Sequence, residues 1–275
     1  MRKRKPSLES GVPLPKPKHR WARRLTPLPT LLILGFLASP ALAEMPKEFV
    51  YLADIDPTIE QDMRYGSANN FIGRVVPGYD AGECVLVKQA AEALKRVEAD
   101  VRAKGFTLKV YDCYRPARAV AAFVHWAKEP DDPKAKTVYY PNLPKAALFP
   151  DYIATRSGHS RGATLDLTLV PLDQASAVPA QPAAEVKPCT APQAKQAPDG
   201  SVAMGTSFDC FDVKANTAAI GLTKEESDNR AILVEAMRAR GFKNYAKEWW
   251  HYTLDGEPFP DTIFDFPIAP RSPGK

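Results

Sequence analysis

Residues 157–169 read Ser-Gly-His-Ser-Arg-Gly-Ala-Thr-Leu-Asp-Leu-Thr-Leu. In the second half leucine alternates with polar residues, which predicts a strand over residues 163–170 with Asp166 on the face opposite the leucines. His159 precedes this strand in a turn flanked by glycine, where the backbone is free to aim a side chain. The segment therefore offers one imidazole and one carboxylate to a shared site. For Asp166 alone, an exposed polar position on a strand is the alternative.

Residues 248–251, Glu-Trp-Trp-His, supply a second pair of such groups. Two imidazoles and one carboxylate form a three-ligand set for Zn²⁺ that leaves a fourth position open to water, whereas structural zinc usually has four protein ligands. We therefore predict a catalytic site for one zinc ion with His159, Asp166 and His251 as ligands. Glu248 is placed to accept the proton of the water that zinc activates. Another divalent ion is the alternative occupant of such a ligand set.

The backbone between Glu248 and His251 is expected to bend. Residues three apart share a face on a helix but point to opposite faces of a straight strand. Two consecutive tryptophans favour an extended or irregular segment, so a bend is needed to bring both side chains to one metal ion. His125 is expected to lie on the surface of a helix, outside the site.

Residues 1–43 have the pattern of an export signal. They contain nine Lys or Arg residues, then an apolar stretch at residues 28–37, then Ala-Leu-Ala at residues 41–43. This order is typical of a signal peptide cleaved after Ala43, and the apolar stretch is short for a membrane span. The sequence thus predicts a periplasmic protein with no stable membrane insertion after cleavage. An uncleaved N-terminal anchor is the alternative.

The positive charge of the chain is concentrated in this leader. Residues 1–43 hold nine of the 37 Lys and Arg residues and one of the 32 Asp and Glu residues, so the remaining chain has a net charge of −3. That balance gives no support to nucleic-acid binding. Residues 44–275 are enough for a single domain with a sizeable core.

Four cysteines follow the leader, and an even number in an exported chain favours two disulfides. Cys189 and Cys210 bracket a loop-like insert, which favours pairing them and leaves Cys84 to pair with Cys113. Free buried thiols in place of one or both pairs are the alternative. The insert spans about residues 171–200 and is rich in Pro and Ala, so we expect a solvated loop and not a second domain.

The apolar periodicity predicts an α+β fold in which helices flank a small, mostly antiparallel sheet. Helices are expected over residues 86–104, 116–128 and 224–240. The last of them is preceded by a capping box formed by Thr223 and Glu226. Strands are expected at residues 49–55, 106–112, 152–154, 163–170 and 249–254.

Several longer phrases extend the pattern around the metal-binding residues. They are Tyr-Asp-x-Tyr-Arg-Pro at residues 111–116, Met-Gly-x-x-Phe-Asp at 204–209, Glu-Trp-Trp-His-Tyr at 248–252, Tyr-Pro-Asn at 140–142 and Phe-Asp-Phe-Pro at 264–267. Together with residues 157–169, these phrases resemble those of the D-alanyl-D-alanine dipeptidases, the vancomycin-resistance type and its exported relatives. The resemblance runs from about residue 49 to the end of the chain and excludes the insert.

This resemblance implies the zinc peptidase fold that bacterial DD-carboxypeptidases share with the hedgehog signalling domain. It implies the same three zinc ligands, with Glu248 as the catalytic base. Arg115 matches the catalytic arginine, and Asp209 matches the carboxylate that holds the free ammonium of the substrate. Ser157 and Tyr65 match positions that line the dipeptide pocket. A surface ion pair is the alternative for Arg115, and an ordinary loop carboxylate is the alternative for Asp209.

The activity that the resemblance implies is hydrolysis of the free dipeptide D-alanyl-D-alanine to D-alanine. A related zinc DD- or LD-carboxypeptidase that trims peptidoglycan stem peptides is the alternative, because the insert precedes Asp209 and leaves the size limit of the pocket open. A third interpretation is a non-catalytic zinc-holding or peptide-binding protein. The presence of Glu248 and Arg115 argues against it, because binding alone requires neither a proton acceptor nor an oxyanion partner.

Overall fold

The computed structural model describes residues 44–174, 187–192 and 199–272. The predicted export signal and most of the predicted insert lie outside the described residues, so signal cleavage and periplasmic location remain predictions. Across the described ranges, no helix combines the length and the apolar character needed to cross a membrane.

The described residues form a mixed fold of helices and short strands. The helices are α1 (Leu52–Ile55), α2 (Lys88–Arg102), α3 (Ala117–Trp126), α4 (Pro133–Tyr139) and α5 (Lys224–Ala239). The strands are β1 (Phe49–Tyr51), β2 (Glu60–Gln61), β3 (Val85–Val87), β4 (Phe106–Asp112), β5 (Thr164–Pro171), β6 (Phe242–Asn244) and β7 (His251–Leu254). Strands β1 and β3 form a small antiparallel pair.

The larger sheet positions the polar residues of interest. Its strand order is β2-β4-β5-β7-β6; β2 and β4 are parallel, and the other neighbouring strands are antiparallel. In the register, Asp112 lies opposite Asp166, and Asp166 lies opposite His251. Directly opposed residues project from the same face of a sheet. Three polar side chains from adjacent strands therefore form one row across the sheet, which we call the polar row.

The opposite face of the sheet belongs to the core. Leu165, Leu167 and Leu169 of β5 are fully buried, as their alternation with polar residues predicts. Helix α2 buries a stripe that includes Leu94 and Val101, and it contacts both β4 and α5. Each fully buried leucine or valine stabilises the fold by about 1.5–3 kcal/mol. The polar row is thus supported from behind by rigid, close-packed elements.

Helix α5 begins with the predicted capping box. The Thr223 side chain accepts a hydrogen bond from the backbone N–H of Glu226 (3.2 Å), and the Glu226 carboxylate accepts one from the backbone N–H of Thr223 (2.8 Å). We expect Thr223→Ala to cost about 1 kcal/mol, which lowers the melting temperature by roughly 2–4 °C in a domain of this size. Ser227→Ala, on the exposed face of the same helix, is the matched control and should leave thermal unfolding nearly unchanged. Equal shifts for the two variants would contradict the capping role.

The structure confirms the mixture of helices and strands and several of their positions. Strand β4 coincides with the predicted residues 106–112, and α2 and α3 lie within the predicted helices. The strand expected at residues 152–154 is wrong: these residues form a turn in which the backbone N–H groups of Tyr152 and Ile153 both donate to Leu148 O at 2.9 Å. The strand expected at residues 49–55 is only half right, because the chain turns into α1 after Tyr51.

Candidate active site

Three side chains that can bind a metal converge at the polar row. Nε2 of His159 lies 3.3 Å from Nδ1 of His251. The two carboxylate oxygens of Asp166 lie 3.0 Å from Nδ1 of His251 and 3.4 Å from Nε2 of His159. Ligand atoms around a tetrahedral ion with bonds of about 2.0–2.1 Å are separated by about 3.3 Å. The nearest atoms of the three side chains are 3.0–3.4 Å apart, so the group can hold a zinc ion.

The orientation of His159 is fixed from the far side of its ring. Its Nδ1–H donates to the carbonyl oxygen of Cys113 at 2.8 Å, and the carboxylate of Asp112 lies 3.3 Å from the same nitrogen. A proton on Nδ1 leaves the lone pair of Nε2 directed at the other two donors, which is the tautomer that a metal ligand needs. The turn before β5 ends at Gly162 with a left-handed φ of 83°, where a Cβ would overlap the ring of Phe49.

The charges at the polar row favour the protonation states that bind a metal. Burial by itself raises the pKa of Asp166, but the adjacent His159 and His251 outweigh it and hold this pKa below its usual range. Burial lowers the pKa of His251, although the negative charge of Asp166 opposes the effect. An ionised carboxylate beside a neutral imidazole is the state in which both are ligands.

Glu248 reaches the site through a turn. The backbone N–H of His251 donates to the carbonyl of Glu248 at 3.3 Å, and Asn244 Nδ2 donates to the carbonyls of both residues at 3.0 and 3.1 Å. The predicted bend is therefore confirmed. Oε2 of Glu248 lies 3.4 Å from Nδ1 of His251. Burial raises the pKa of Glu248 well above its usual value, and the negative charges of Asp166 and Asp209 add to the effect.

Arg115 is buried beside the metal donors and is rigidly held. Its Nε and Nη2 donate to Oδ2 of Asp112 at 2.9 and 2.8 Å, and Nη2 lies 3.6 Å from Oδ2 of Asp166. The guanidinium also lies over the rings of Tyr65 and Phe123, at 5.1 and 5.0 Å from their centres. The surface ion pair considered for Arg115 is therefore wrong, because its side chain is only 12% exposed and its partner is fully buried.

Asp209 is a buried carboxylate with a single side-chain donor among the described residues. The Tyr65 hydroxyl lies 2.9 and 3.1 Å from its two oxygens. Burial, reinforced by the negative charge of Asp166, raises the pKa of Asp209 to about 8. Burial removes water from this carboxylate and only one hydroxyl replaces it, so a bound cation would stabilise its ionised form. The backbone of Asp209 is left-handed, with a φ of 58°.

All eight residues that the sequence singles out for metal binding, catalysis and substrate binding line one cavity of about 200 Å³. They are Tyr65, Arg115, Ser157, His159, Asp166, Asp209, Glu248 and His251. The Ser157 hydroxyl accepts a hydrogen bond from the backbone N–H of His159 at 3.3 Å, so it also shapes the turn that carries this ligand. His125 is 78% exposed on α3 and takes no part in the cavity, as expected.

Comparison with known proteins identifies the family. The sequence matches the peptidase M15 family, described as D-ala-D-ala dipeptidase, over residues 45–179 and 195–269. The chain belongs to this family. It is 38% identical to a D-alanyl-D-alanine dipeptidase of Streptomyces coelicolor and 35% identical to one of Enterococcus faecalis, each over 226 residues that cover 82% of this chain and 100% of the relative. A D-alanyl-D-alanine dipeptidase of Escherichia coli is 27% identical over 210 residues, 75% of this chain and 84% of the relative.

As an M15 peptidase, the protein belongs to a family of zinc metallopeptidases, and the group His159, Asp166 and His251 could hold such a metal. The match leaves out residues 180–194, within the predicted insert. The M15 pattern therefore covers both ends of the predicted insert but not its middle.

The sequence singled out fewer residues than the structure brings to this site. Asp112 is fully buried, accepts a hydrogen bond from the Tyr79 hydroxyl at 2.6 Å and pairs with Arg115. Its position at the end of β4, three residues before Arg115, was a signal that could have identified it. The apolar walls of the cavity, including Phe71 and Phe211, carry no such local signal because they are defined only by long-range packing.

Proposed function

We propose that the protein hydrolyses free D-alanyl-D-alanine to D-alanine, with one zinc ion bound by His159, Asp166 and His251. The observation that carries this proposal is the placement of a further buried carboxylate, Asp209, in the same small cavity as the candidate metal ligands and Glu248. A dipeptide has an ammonium group close to its scissile amide. In this cavity Asp209 can pair with the ammonium group while the metal site lies near the amide. The names of the M15 relatives support the same substrate.

The chain's own residues have distinct tasks in this proposal. Asp209 accepts the substrate ammonium, and Tyr65 holds the Asp209 carboxylate in place by its hydroxyl. Ser157 lines the cavity next to His159 and shapes the end of the pocket. Because Asp209 is buried, an acylated amino group would leave its carboxylate desolvated and without a cationic partner. That cost explains a preference for a free dipeptide over longer peptides.

The chemical step needs a base and an oxyanion partner. When bound, zinc would supply a Lewis acid that polarises the amide carbonyl and makes water acidic enough to lose a proton near neutral pH. Glu248 would accept that proton and return it to the nitrogen of the leaving D-alanine, a role that suits a carboxylate whose Oε2 lies 3.4 Å from Nδ1 of His251. Arg115 would donate hydrogen bonds to the oxygen that gains negative charge as the amide carbon becomes tetrahedral.

The proposed activity is tested by metal analysis of the purified protein together with cleavage assays. We expect about one zinc per chain, hydrolysis of D-alanyl-D-alanine and little hydrolysis of L-alanyl-L-alanine or of tripeptides. A muropeptide with an intact stem, assayed in parallel, separates this proposal from the alternative of a zinc carboxypeptidase. Cleavage of the muropeptide but not of the free dipeptide would establish the alternative.

Asp209→Asn tests the ammonium-binding step by itself. The amide keeps the shape of the side chain but removes its charge, and a hydrogen bond to a charged group contributes about 1.5–3 kcal/mol. We therefore expect the KM for D-alanyl-D-alanine to rise by about 10- to 100-fold. Burial raises the pKa of Asp209 to about 8, so this carboxyl destabilises the folded protein at pH values above its ordinary pKa of about 4. Asparagine does not ionise, so the variant should unfold at an unchanged or higher temperature at neutral pH. An unchanged KM would remove Asp209 from the binding site.

We also propose that residues 44–275 are one zinc dipeptidase domain with the fold of DD-carboxypeptidases and the hedgehog domain, exported to the periplasm after cleavage of residues 1–43. The export pattern of the leader supports this location, and so do two pairs of cysteines within bonding distance, Cys84 with Cys113 and Cys189 with Cys210. Release of the shortened protein by osmotic shock is the expected result. Retention of the full-length chain in the membrane fraction would support an uncleaved anchor instead.

A further inference from the structure

The two cysteine pairs lie behind two different parts of the cavity. Cys113 follows Asp112 at the end of β4, directly behind the metal donors, and Cys210 follows Asp209. We propose that each disulfide positions one half of the site: Cys84–Cys113 holds the metal-binding half, and Cys189–Cys210 holds the half that receives the substrate ammonium. This inference rests on the proposed function, to which it adds two positioning elements.

The Cys84–Cys113 pair supports the ring of His159. The carbonyl of Cys113 accepts the hydrogen bond from His159 Nδ1, and the carbonyl of His159 accepts one from the backbone N–H of Arg115 at 3.3 Å. The segment from Cys113 to Arg115 therefore orients a metal ligand and carries the catalytic arginine. Hydrogen bonds to the outer nitrogen of a ligating histidine typically change metal affinity by about 10- to 100-fold.

Cys84 is itself held by hydrogen bonds to two other parts of the fold. Its backbone N–H donates to Gln61 Oε1 at 2.8 Å, and its carbonyl accepts from the backbone N–H of Leu52 at 2.9 Å. Both cysteines of the pair are fully buried. The disulfide thus ties the carbonyl that orients His159 to a fixed part of the core, and its loss would allow residues 113–115 to move away from the ring.

The Cys189–Cys210 pair lies next to Asp209 in the chain. Cys189 lies in residues 187–192, where its N–H donates to Val138 O at 3.0 Å and its carbonyl accepts from the N–H of Ser207 at 3.2 Å. On the other side of Asp209, the N–H of Phe211 donates to Tyr139 O at 2.7 Å. The disulfide connects Cys189 to Cys210, the residue after Asp209. The chain is therefore held on both sides of Asp209, whose carboxylate faces the cavity.

The backbone of Asp209 explains why this support matters. A non-glycine residue in the left-handed region is held there by its surroundings at a cost of about 1–3 kcal/mol. If the adjacent disulfide is removed, the loop can relax and displace the carboxylate from the Tyr65 hydroxyl. Cys189 lies within residues 180–194, which the M15 pattern does not match, so this support comes from a segment outside the family match.

The test compares two double variants of the full chain, Cys84→Ala/Cys113→Ala and Cys189→Ala/Cys210→Ala, each serving as the control for the other. The zinc dissociation constant is measured by competition with a chromophoric chelator, and KM and kcat are measured with saturating zinc. We expect the first variant to bind zinc about 10- to 100-fold more weakly. We expect the second to raise the KM for D-alanyl-D-alanine by about 10- to 100-fold, with zinc affinity within about twofold of the parent protein.

A purely structural role for the disulfides predicts a different result. Both variants would then unfold at lower temperature and contain less active protein, while the zinc affinity and the KM of the folded fraction stayed unchanged. That result, or the same shifts in both variants, would overturn the inference. If an alanine variant does not fold, the same two quantities are measured on the double serine variant of that pair, so that each disulfide is still removed separately. The zinc measurement needs no substrate, so the role of Cys84–Cys113 is tested even if the parent protein does not cleave D-alanyl-D-alanine. Such an inactive parent protein would contradict the proposed function and the role of Cys189–Cys210 that depends on it.

Discussion

Replacement of Glu248 by glutamine is expected to lower kcat for D-alanyl-D-alanine by about 10²- to 10⁴-fold, the usual contribution of a positioned acid or base. Glutamine has the size of glutamate but cannot accept the proton of the attacking water. Because Oε2 of Glu248 lies 3.4 Å from Nδ1 of His251, the substitution acts at the edge of the metal site without removing a proposed ligand. The KM should change little, since Glu248 acts mainly in the chemical step.

The zinc content of Glu248→Gln distinguishes a base from a ligand. We expect the variant to retain about one zinc per chain, whereas His251→Ala should lose both the metal and the activity. Glu235→Gln, on the exposed part of α5, is the matched control for the loss of a carboxylate and should have the activity of the parent protein. A Glu248→Gln enzyme with nearly normal kcat would require another proton acceptor, and one that lacks zinc would make Glu248 part of the metal site.

The sequence predicted those parts of the fold that depend on local pattern. Strand β4 and helix α2 follow from the periodicity of their apolar residues, and the start of α5 follows from the hydrogen-bonding capacity of Thr223 and Glu226. Residues 152–154 have the composition of a strand but form a turn, because hydrogen bonds to Leu148 outweigh a weak local preference. Short strands such as β2 and β6 have too few residues to show a period.

The candidate site was predictable as a set of residues but not as an arrangement. The phrases around His159 and His251 name the candidate metal ligands, yet only the register of β4, β5 and β7 aligns Asp112, Asp166 and His251 in one row. Register is a long-range property that depends on which face of each strand is buried. The carbonyl of Cys113, which accepts the hydrogen bond of His159, was not predictable either, because a backbone atom has no sequence signature and the contact is long-range.

Arg115 offers the second large expected effect. Arg115→Lys keeps a positive charge but loses the planar group that donates twice to Asp112 while facing the site. We expect kcat and kcat/KM to fall together by about 10²- to 10³-fold, as is usual when one donor to a developing oxyanion is removed, with KM nearly unchanged because the interaction is made in the transition state. Arg115→Ala is a poorer test, since the fully buried Asp112 would lose its partner at a cost of about 3–5 kcal/mol in folding.

Arg118, three residues after Arg115, provides the control for Arg115→Lys. Arg118 donates to Asp265 through Nε at 3.0 Å, but this pair is exposed and lies outside the cavity. Arg118→Lys should therefore leave kcat, KM and zinc affinity close to those of the parent protein, because exposed ion pairs contribute only about 0–1 kcal/mol. If Arg115 served only to neutralise Asp112, Arg115→Lys would lower the melting temperature and leave kcat of the folded enzyme intact. A fall in kcat without loss of zinc or of thermal stability would instead assign Arg115 to the transition state.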